Sequence, residues 1–269
     1  MTQEQPDRHI MTVDEMREHE WIVSWSGGKD STATIILMHE HNIPIKKIVY
    51  VRMMFDETTP ATLPIMTDFI ERGAEQFRRW GYTLEIIPSI QTALEVAETK
   101  YKRSKNTAWN GHAWGITPFM RGACRFAGVK CDTVKKHVNS VNEYEMIGYA
   151  ADEYKRIHRL SGTRQSIMVT LGTTTPQAFE ICRRYDLLSP LYGTGIARDG
   201  CFFCPNANKA ERENVRKNYP ELVEKINQLI KMTDYDITGL RNLNNWLTDY
   251  FAELEEAADP YKQSKLTDF

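Results

Sequence analysis

Apolar residues come in two textures along this chain. Short β-branched or aromatic runs alternate with longer stretches in which apolar positions recur every three or four residues. The first texture predicts buried strands and the second predicts amphipathic helices. Ile22-Val23, after Trp21, opens the series as a strand. A helix follows from Ser31 through Ile35-Ile36-Leu37, ending near His41-Asn42, where Pro44 blocks continuation. Ile48-Val49-Tyr50-Val51 is the second strand, and Pro64 to Trp80 is a helix marked by Ile65, Phe69, Ala74, Phe77 and Trp80. Gly81 suits its C-terminus. Thr83 to Ile87 is the third strand and Glu145 to Tyr149 the fourth. Thr92 to Lys105 and Asp132 to His137 read as helical. Thr175-Pro176 starts another helix, with the threonine as cap and the proline in the first turn. From Lys209 to Ala258 the pattern is helical again, with Leu222, Ile226, Leu229 and Ile230, then Trp246, Leu247, Tyr250, Phe251 and Leu254. Strands alternating with helices predict an α/β protein with an open parallel sheet.

This pattern divides the chain into an N-terminal arm over 1–20, an α/β domain over 21–200 and a C-terminal helical part over 201–269. Residues 91–131 form a lid-like insertion of irregular, Trp- and Gly-rich sequence. Met11, Val13 and Met16 are the arm's few apolar points, and Asp259 to Phe269 is a polar tail. The 269 residues suffice for one large domain with a smaller appendage. A net charge of −2 gives no global pull toward nucleic acid, so any such binding needs a local patch. No apolar run approaches membrane-spanning length, and the polar start resembles neither a signal nor a transit peptide. The expected setting is the cytoplasm.

Chemistry concentrates at strand ends. After the first strand comes Ser26-Gly27-Gly28-Lys29-Asp30-Ser31, a glycine turn running into a helix start. Free N–H groups at a helix N-terminus attract anions, and glycines let backbone approach a phosphate. Lys29 adds a mobile cation, and Ser26 and Ser31 add hydroxyl donors. The spacing is neither GxxxxGK[ST] nor GxGxxG. The plain alternative is an ordinary strand-to-helix turn capped by serines. Asp56 and Glu57 follow the second strand, and Asp152, Glu153 and Arg156 follow the fourth. In open α/β sheets ligands sit at the carboxyl ends of strands. These groups are placed for a ribose, a base edge or Mg²⁺, or they are simply charges at turns and helix starts. Lys100, Lys102, Arg103 and Lys105 make a basic cluster that grips a phosphate-bearing substrate or nucleic acid, or is a solvated helix end.

Five cysteines complete the inventory. Cys182 reads as a small core residue beside Phe179. Cys201-x-x-Cys204 in a glycine-led turn is a usual half-site for zinc or an iron–sulfur cluster, and Cys124 with Cys131 could supply the other half. Spacing alone leaves Zn²⁺, a cluster and four unrelated thiols open.

SWSGGKDS, MMFDE, GYAADEYKR and LLSPLYGTGIARDGCFFCPNA together resemble the PAPS-reductase-like branch of the PP-loop ATP pyrophosphatase superfamily, particularly its shorter bacterial and phage-associated members. The likeness runs from about Trp21 to Leu222. It implies a Rossmann-like, PP-loop-type sheet with ATP or another adenine nucleotide at the turn. It carries over Ser24, Ser26, Gly27, Gly28, Lys29, Asp30 and Ser31 as phosphate- or Mg²⁺-binding positions, with Lys29 and Asp30 closest to the chemistry. It implies that Cys124, Cys131, Cys201 and Cys204 hold one metal centre, a [4Fe–4S] cluster in related enzymes, with Zn²⁺ the alternative. The implied activity is ATP cleavage between the α- and β-phosphates, adenylating an acceptor for sulfur or nitrogen transfer. The acceptor is a small molecule or a nucleic acid, and a homodimer is compatible with the family. A sulfonucleotide reductase is the first alternative. Yet no cysteine follows Cys204 to resolve such a substrate, and Ala150 replaces the basic residue of the family's GxRxxE segment. A non-catalytic nucleotide-binding component of a DNA-modification or defence complex is the second.

Overall fold

The structure is a computed structural model, and it describes residues 9–137, 143–194, 196, 200–237, 240 and 243–258. The start of the N-terminal arm, the tail after Ala258 and most of 195–199 lie outside these residues. In chain order the elements are α1 (Val13–Arg17), β1 (Trp21–Trp25), α2 (Lys29–Glu40), β2 (Ile45–Arg52), α3 (Pro64–Arg79), β3 (Leu84–Pro88) and α4 (Ala93–Glu98). After them come α5 (Arg125–His137), β4 (Tyr144–Met146), α6 (Tyr154–Ile157), β5 (Arg164–Gln165) and α7 (Ile167–Thr170). The series closes with α8 (Thr175–Arg184), α9 (Lys209–Asn218), α10 (Pro220–Lys231) and α11 (Asn245–Ala258).

Two compact units emerge. The first comprises Met1–Arg52, Thr62–Ser89 and Asp132–Asp199. It holds a five-stranded sheet of order β3-β2-β1-β4-β5, with every pair parallel. The order reverses at β1: the chain builds β2 and β3 on one side, then crosses to place β4 and β5 on the other. That reversal is where a crevice opens at the strands' carboxyl ends. β1 is central and buried on both faces, as its apolar run predicts. Trp25 packs against Phe69 and Phe77 of α3, and Gly73 leaves room for its ring. The same indole donates to Thr32 Oγ1 at 2.9 Å, pinning the first turn of α2 to the end of β1. Ser31 through Met38 are all buried, because α2 packs on β1, α7 and α8 at once. A helix enclosed on all sides needs no polar stripe.

The second unit comprises Met53–Ala61, Ile90–Cys131 and Gly200–Phe269. Phe55, Phe119, Phe126, Phe202 and Phe203 interlock as its aromatic core, with ring centres 5.1–6.0 Å apart. The irregular stretch after α4 and the helices α9 to α11 therefore belong to one body.

Several expectations need correction. The helix over Thr92 to Lys105 stops at Glu98. Thr99 turns extended, and the backbone then folds into a hairpin in which Lys100 bridges Ala113. The helix expected from Asp132 begins seven residues earlier and includes Cys131. β4 is shorter than Glu145 to Tyr149. Thr174, not Thr175, caps α8, through a reciprocal pair with Gln177.

Candidate functional site: a phosphate-type turn at the sheet's reversal

The turn between β1 and α2 is built from its own side chains. Gly27 has φ +79°, a left-handed conformation that glycine adopts without strain. Gly28 caps α2 and, lacking a side chain, supplies no cap hydrogen bond of its own. Ser31 Oγ accepts from Ser26 N at 3.1 Å and donates to Gly28 O at 3.1 Å. Ser26 Oγ lies 3.0 Å from Ser31 Oγ and accepts from Gly28 N at 3.3 Å. The two serines expected as phosphate donors brace the loop itself. Ser24 lies within β1, opposite Val49.

Lys29 and Asp30 stand at the mouth of this turn. Lys29 Nζ donates to Asp30 Oδ2 at 2.8 Å, and their side chains are only 17% and 24% exposed. Burial works against the ammonium charge. The hydrogen bond and charge of Asp30, with Tyr192 and Glu153, outweigh it, so the pKa of Lys29 is raised. Asp30 Oδ1 is buried without a hydrogen-bond partner. A buried carboxylate oxygen left bare is costly unless a cation or donor meets it. That orphan oxygen fits a divalent cation such as Mg²⁺ carrying a polyphosphate.

The segment after β4 completes this site. Gly148 sits against the start of α2: a Cβ there would lie 2.7 Å from Ser31 N and 2.8 Å from the carbonyl carbon of Asp30. Glu153 accepts from Ala150 N at 3.2 Å and pairs with Arg156 at 2.9 Å, and Arg156 stacks over Tyr149. Asp152 accepts from Thr175 N and Oγ1, both at 3.0 Å. These bonds, with Lys29 nearby, lower its pKa. Lys29 therefore feels both Asp152 and Glu153.

Sequence reasoning missed three participants. Tyr192 OH accepts from Lys29 N at 3.3 Å, and its ring meets Phe179 edge-on. Phe179 in turn lies 5.4 Å from Lys29 Nζ. Gly148 is the third. Only the SPLYG run pointed toward Tyr192, and nothing in the spacing paired it with a residue so distant in sequence. Cys182 is core, as expected. Its thiol donates to Lys29 O at 3.2 Å, and burial beside Asp30 pushes its pKa up to about 12.

Asp56 belongs to the second unit and is fully engaged there. Its Oδ1 accepts from Thr58 N, Thr58 Oγ1 and Thr59 N at 2.8–3.0 Å, and its Oδ2 pairs with Lys225 at 2.6 Å. Burial opposes the charge, and these partners hold the carboxyl well below its usual range. This is a brace for the loop after β2.

All four candidate metal-binding cysteines fall in the second unit. Cys201 and Cys204 share one turn, closed by Cys204 N donating to Cys201 O at 2.9 Å. Cys124 precedes α5. Burial pushes its thiol up, the N–H groups of Ala127 and Phe126 pull it down, and Cys204 is near enough to raise it again. Cys131 lies exposed within α5, seven residues on. Among the described residues no three His, Cys, Asp or Glu side chains come together as a metal site. The four cysteines are not gathered as one metal site among the described residues.

The parallel α/β sheet reverses its strand order at the glycine turn that starts α2, with Lys29 and Asp30 at its mouth. Neither the family models nor the curated proteins match this chain. Among solved structures, the U34-tRNA thiolase NcsA from Methanococcus maripaludis, with its [4Fe–4S] cluster, matches at TM-score 0.40 and 14% identity. The match covers 85% of this chain and 78% of that one. No helix among the described residues is long and apolar enough to cross a membrane.

Proposed function

We propose that this chain binds ATP by its phosphate tail at Ser26 to Ser31 and cleaves it between the α- and β-phosphates. An acceptor oxygen attacks the α-phosphorus, the bond to the bridging oxygen breaks, and pyrophosphate leaves with the electron pair. The acceptor, now adenylated, is open to displacement by a sulfur or nitrogen nucleophile. The observation that carries this reading is the orphan Asp30 Oδ1 beside Lys29, at the glycine turn that starts α2.

Each group has a part. The N-terminal end of α2 and the cation of Lys29 stabilise the charge that develops on the leaving pyrophosphate. Asp30 holds Lys29 in place through Oδ2 and offers Oδ1 to Mg²⁺, which would neutralise further charge on the phosphates. Asp152, Glu153 and Arg156 rim the site for the ribose, base or acceptor. No step is routed through the cysteines.

The test is product identity. The protein, ATP, Mg²⁺ and candidate acceptors are mixed, and AMP, ADP, phosphate and pyrophosphate are quantified. Pyrophosphate appearing in step with acceptor, and lost in Lys29→Ala, is expected. ADP and phosphate as the products would refute α–β cleavage.

A further inference from the structure

We propose that the stretch from Thr99 to Val129 forms a binding surface for a single-stranded phosphodiester chain, separate from the nucleotide turn. The stretch contains Lys100, Lys102, Arg103, Lys105, Arg121 and Arg125, and no aspartate or glutamate. Elsewhere cations are commonly neutralised: Lys46, Lys47, Arg156, Arg164, Arg184 and Arg212 each pair with a carboxylate. Among the described residues none of the six basic side chains does so. A run of uncompensated cations is the electrostatic footprint of a polyanion site.

The helix dipole does not account for most of this charge: lysines at a helix C-terminus answer it, but α4 ends at Glu98, well before Lys102, Arg103 and Lys105. The chain instead makes a hairpin. Trp114 N donates to Thr99 O, Tyr101 N to His112 O, and Gly111 N to Tyr101 O. This sets the lysines beside a group of aromatic rings. Tyr101 lies 5.4 Å from Trp109 and 5.9 Å from Trp114, and the guanidinium of Arg125 lies 4.7 Å over Trp114. Trp109 is held by its own N–H, which donates to Asp236 O at 3.0 Å, and it remains half-exposed. Asp234 also enters this group, where it pairs with His112.

Partly exposed, fixed rings among cations make a stacking platform. Bases in a single strand present their faces to such rings, whereas a duplex hides them. The charges alone would suit an acidic protein or an anionic membrane equally. The ordered aromatics favour a base-bearing strand.

The test uses the full chain without ATP. Fluorescein-labelled 20-nucleotide RNA and DNA of mixed sequence are titrated by anisotropy at several salt concentrations. Both are expected to bind, with affinity falling as salt rises; RNA tighter than DNA indicates contacts to the 2′-hydroxyl, and equal affinity indicates backbone and base faces alone. The triple variant Lys102→Gln, Arg103→Gln, Lys105→Gln should bind about 10-fold more weakly, with the log–log salt slope reduced by about 2, at roughly 0.7 per lost phosphate contact. Trp109→Leu should weaken binding about fivefold or more with an unchanged slope, because stacking is lost and charge is not. The triple variant should keep the parent's melting temperature, and both variants its ATP affinity, so this surface can fail without the nucleotide reading failing. No binding to either oligonucleotide at low salt overturns the proposal. So does binding that the triple variant leaves untouched, or attachment to phosphatidylserine vesicles with none to oligonucleotides.

Discussion

Gly148→Ala isolates the dependence of the turn on its neighbour. The new methyl would sit 2.7 Å from Ser31 N, 2.8 Å from Asp30 C and 2.9 Å from Asp30 O, all backbone atoms of the first turn of α2. Ordinary contact begins near 3.4 Å, so relief requires about 0.7 Å of movement by a helix start that Trp25 and Thr32 hold in place. Overpacking of this kind costs about 1–3 kcal/mol. The displaced turn carries Lys29 and Asp30, and misplacing catalytic groups by about 1 Å costs on the order of 100-fold in rate. Gly28→Ala is the partner experiment. Its Cβ would meet only the Ser26 hydroxyl at 3.3 Å and Tyr192 OH at 3.9 Å, and its φ of −77° suits alanine. It should preserve the melting temperature while filling the space a phosphate needs. Calorimetric ATP titration and thermal unfolding of both variants check this. Gly148→Ala should lose both affinity and stability, and Gly28→Ala affinity alone. Parent-like ATP binding in both would refute the placement of the phosphate site.

Other expectations follow from the same geometry. Asp30→Asn should lower pyrophosphate release by about 100-fold or more, the scale of a lost electrostatic contact at a reacting phosphate, and should weaken the dependence on Mg²⁺ seen in an activity titration. Asp56→Asn should destabilise the protein by about 1–3 kcal/mol, since a carboxylate with charged and neutral donors is lost. The sign with pH is fixed by the lowered pKa of Asp56. Its contribution is present above about pH 4, the unfolded value, and fades as pH falls below that, so parent and variant melting curves should converge toward strong acid. In anaerobically purified protein, Cys131→Ser should match the parent's iron and zinc content, because Cys131 lies exposed within α5 and no three metal-binding side chains gather with it among the described residues.

The strands with strong patterns were readable because burial on both faces demands continuous apolar runs. Ile22-Val23 and Ile48 to Val51 mark β1 and β2 for that reason. β5 spans two residues, Arg164 and Gln165, and is held by pairing with β4 rather than by any preference of its own. Thr92 to Lys105 misled because its side chains favour helix, while the backbone beyond Glu98 finds better partners across the hairpin at His112 and Ala113. Within the site, Gly27, Gly28, Lys29 and Asp30 are contiguous and so were legible. Tyr192 reaches Lys29 across 163 positions, and Gly148 matters only because α2 starts against it. Asp56 looked like a ligand because it follows a strand. Its role depends on Lys225, which no local pattern ties to it.

The most direct trial of the central claim is a crystal structure with Mg²⁺ and an ATP analogue that cannot be cleaved between the α- and β-phosphates. The β- and γ-phosphates are expected against the backbone of Gly27 to Ser31, with Lys29 Nζ on a phosphate oxygen and Mg²⁺ at Asp30 Oδ1. Phosphates bound elsewhere, with the Lys29–Asp30 pair undisturbed, would contradict it.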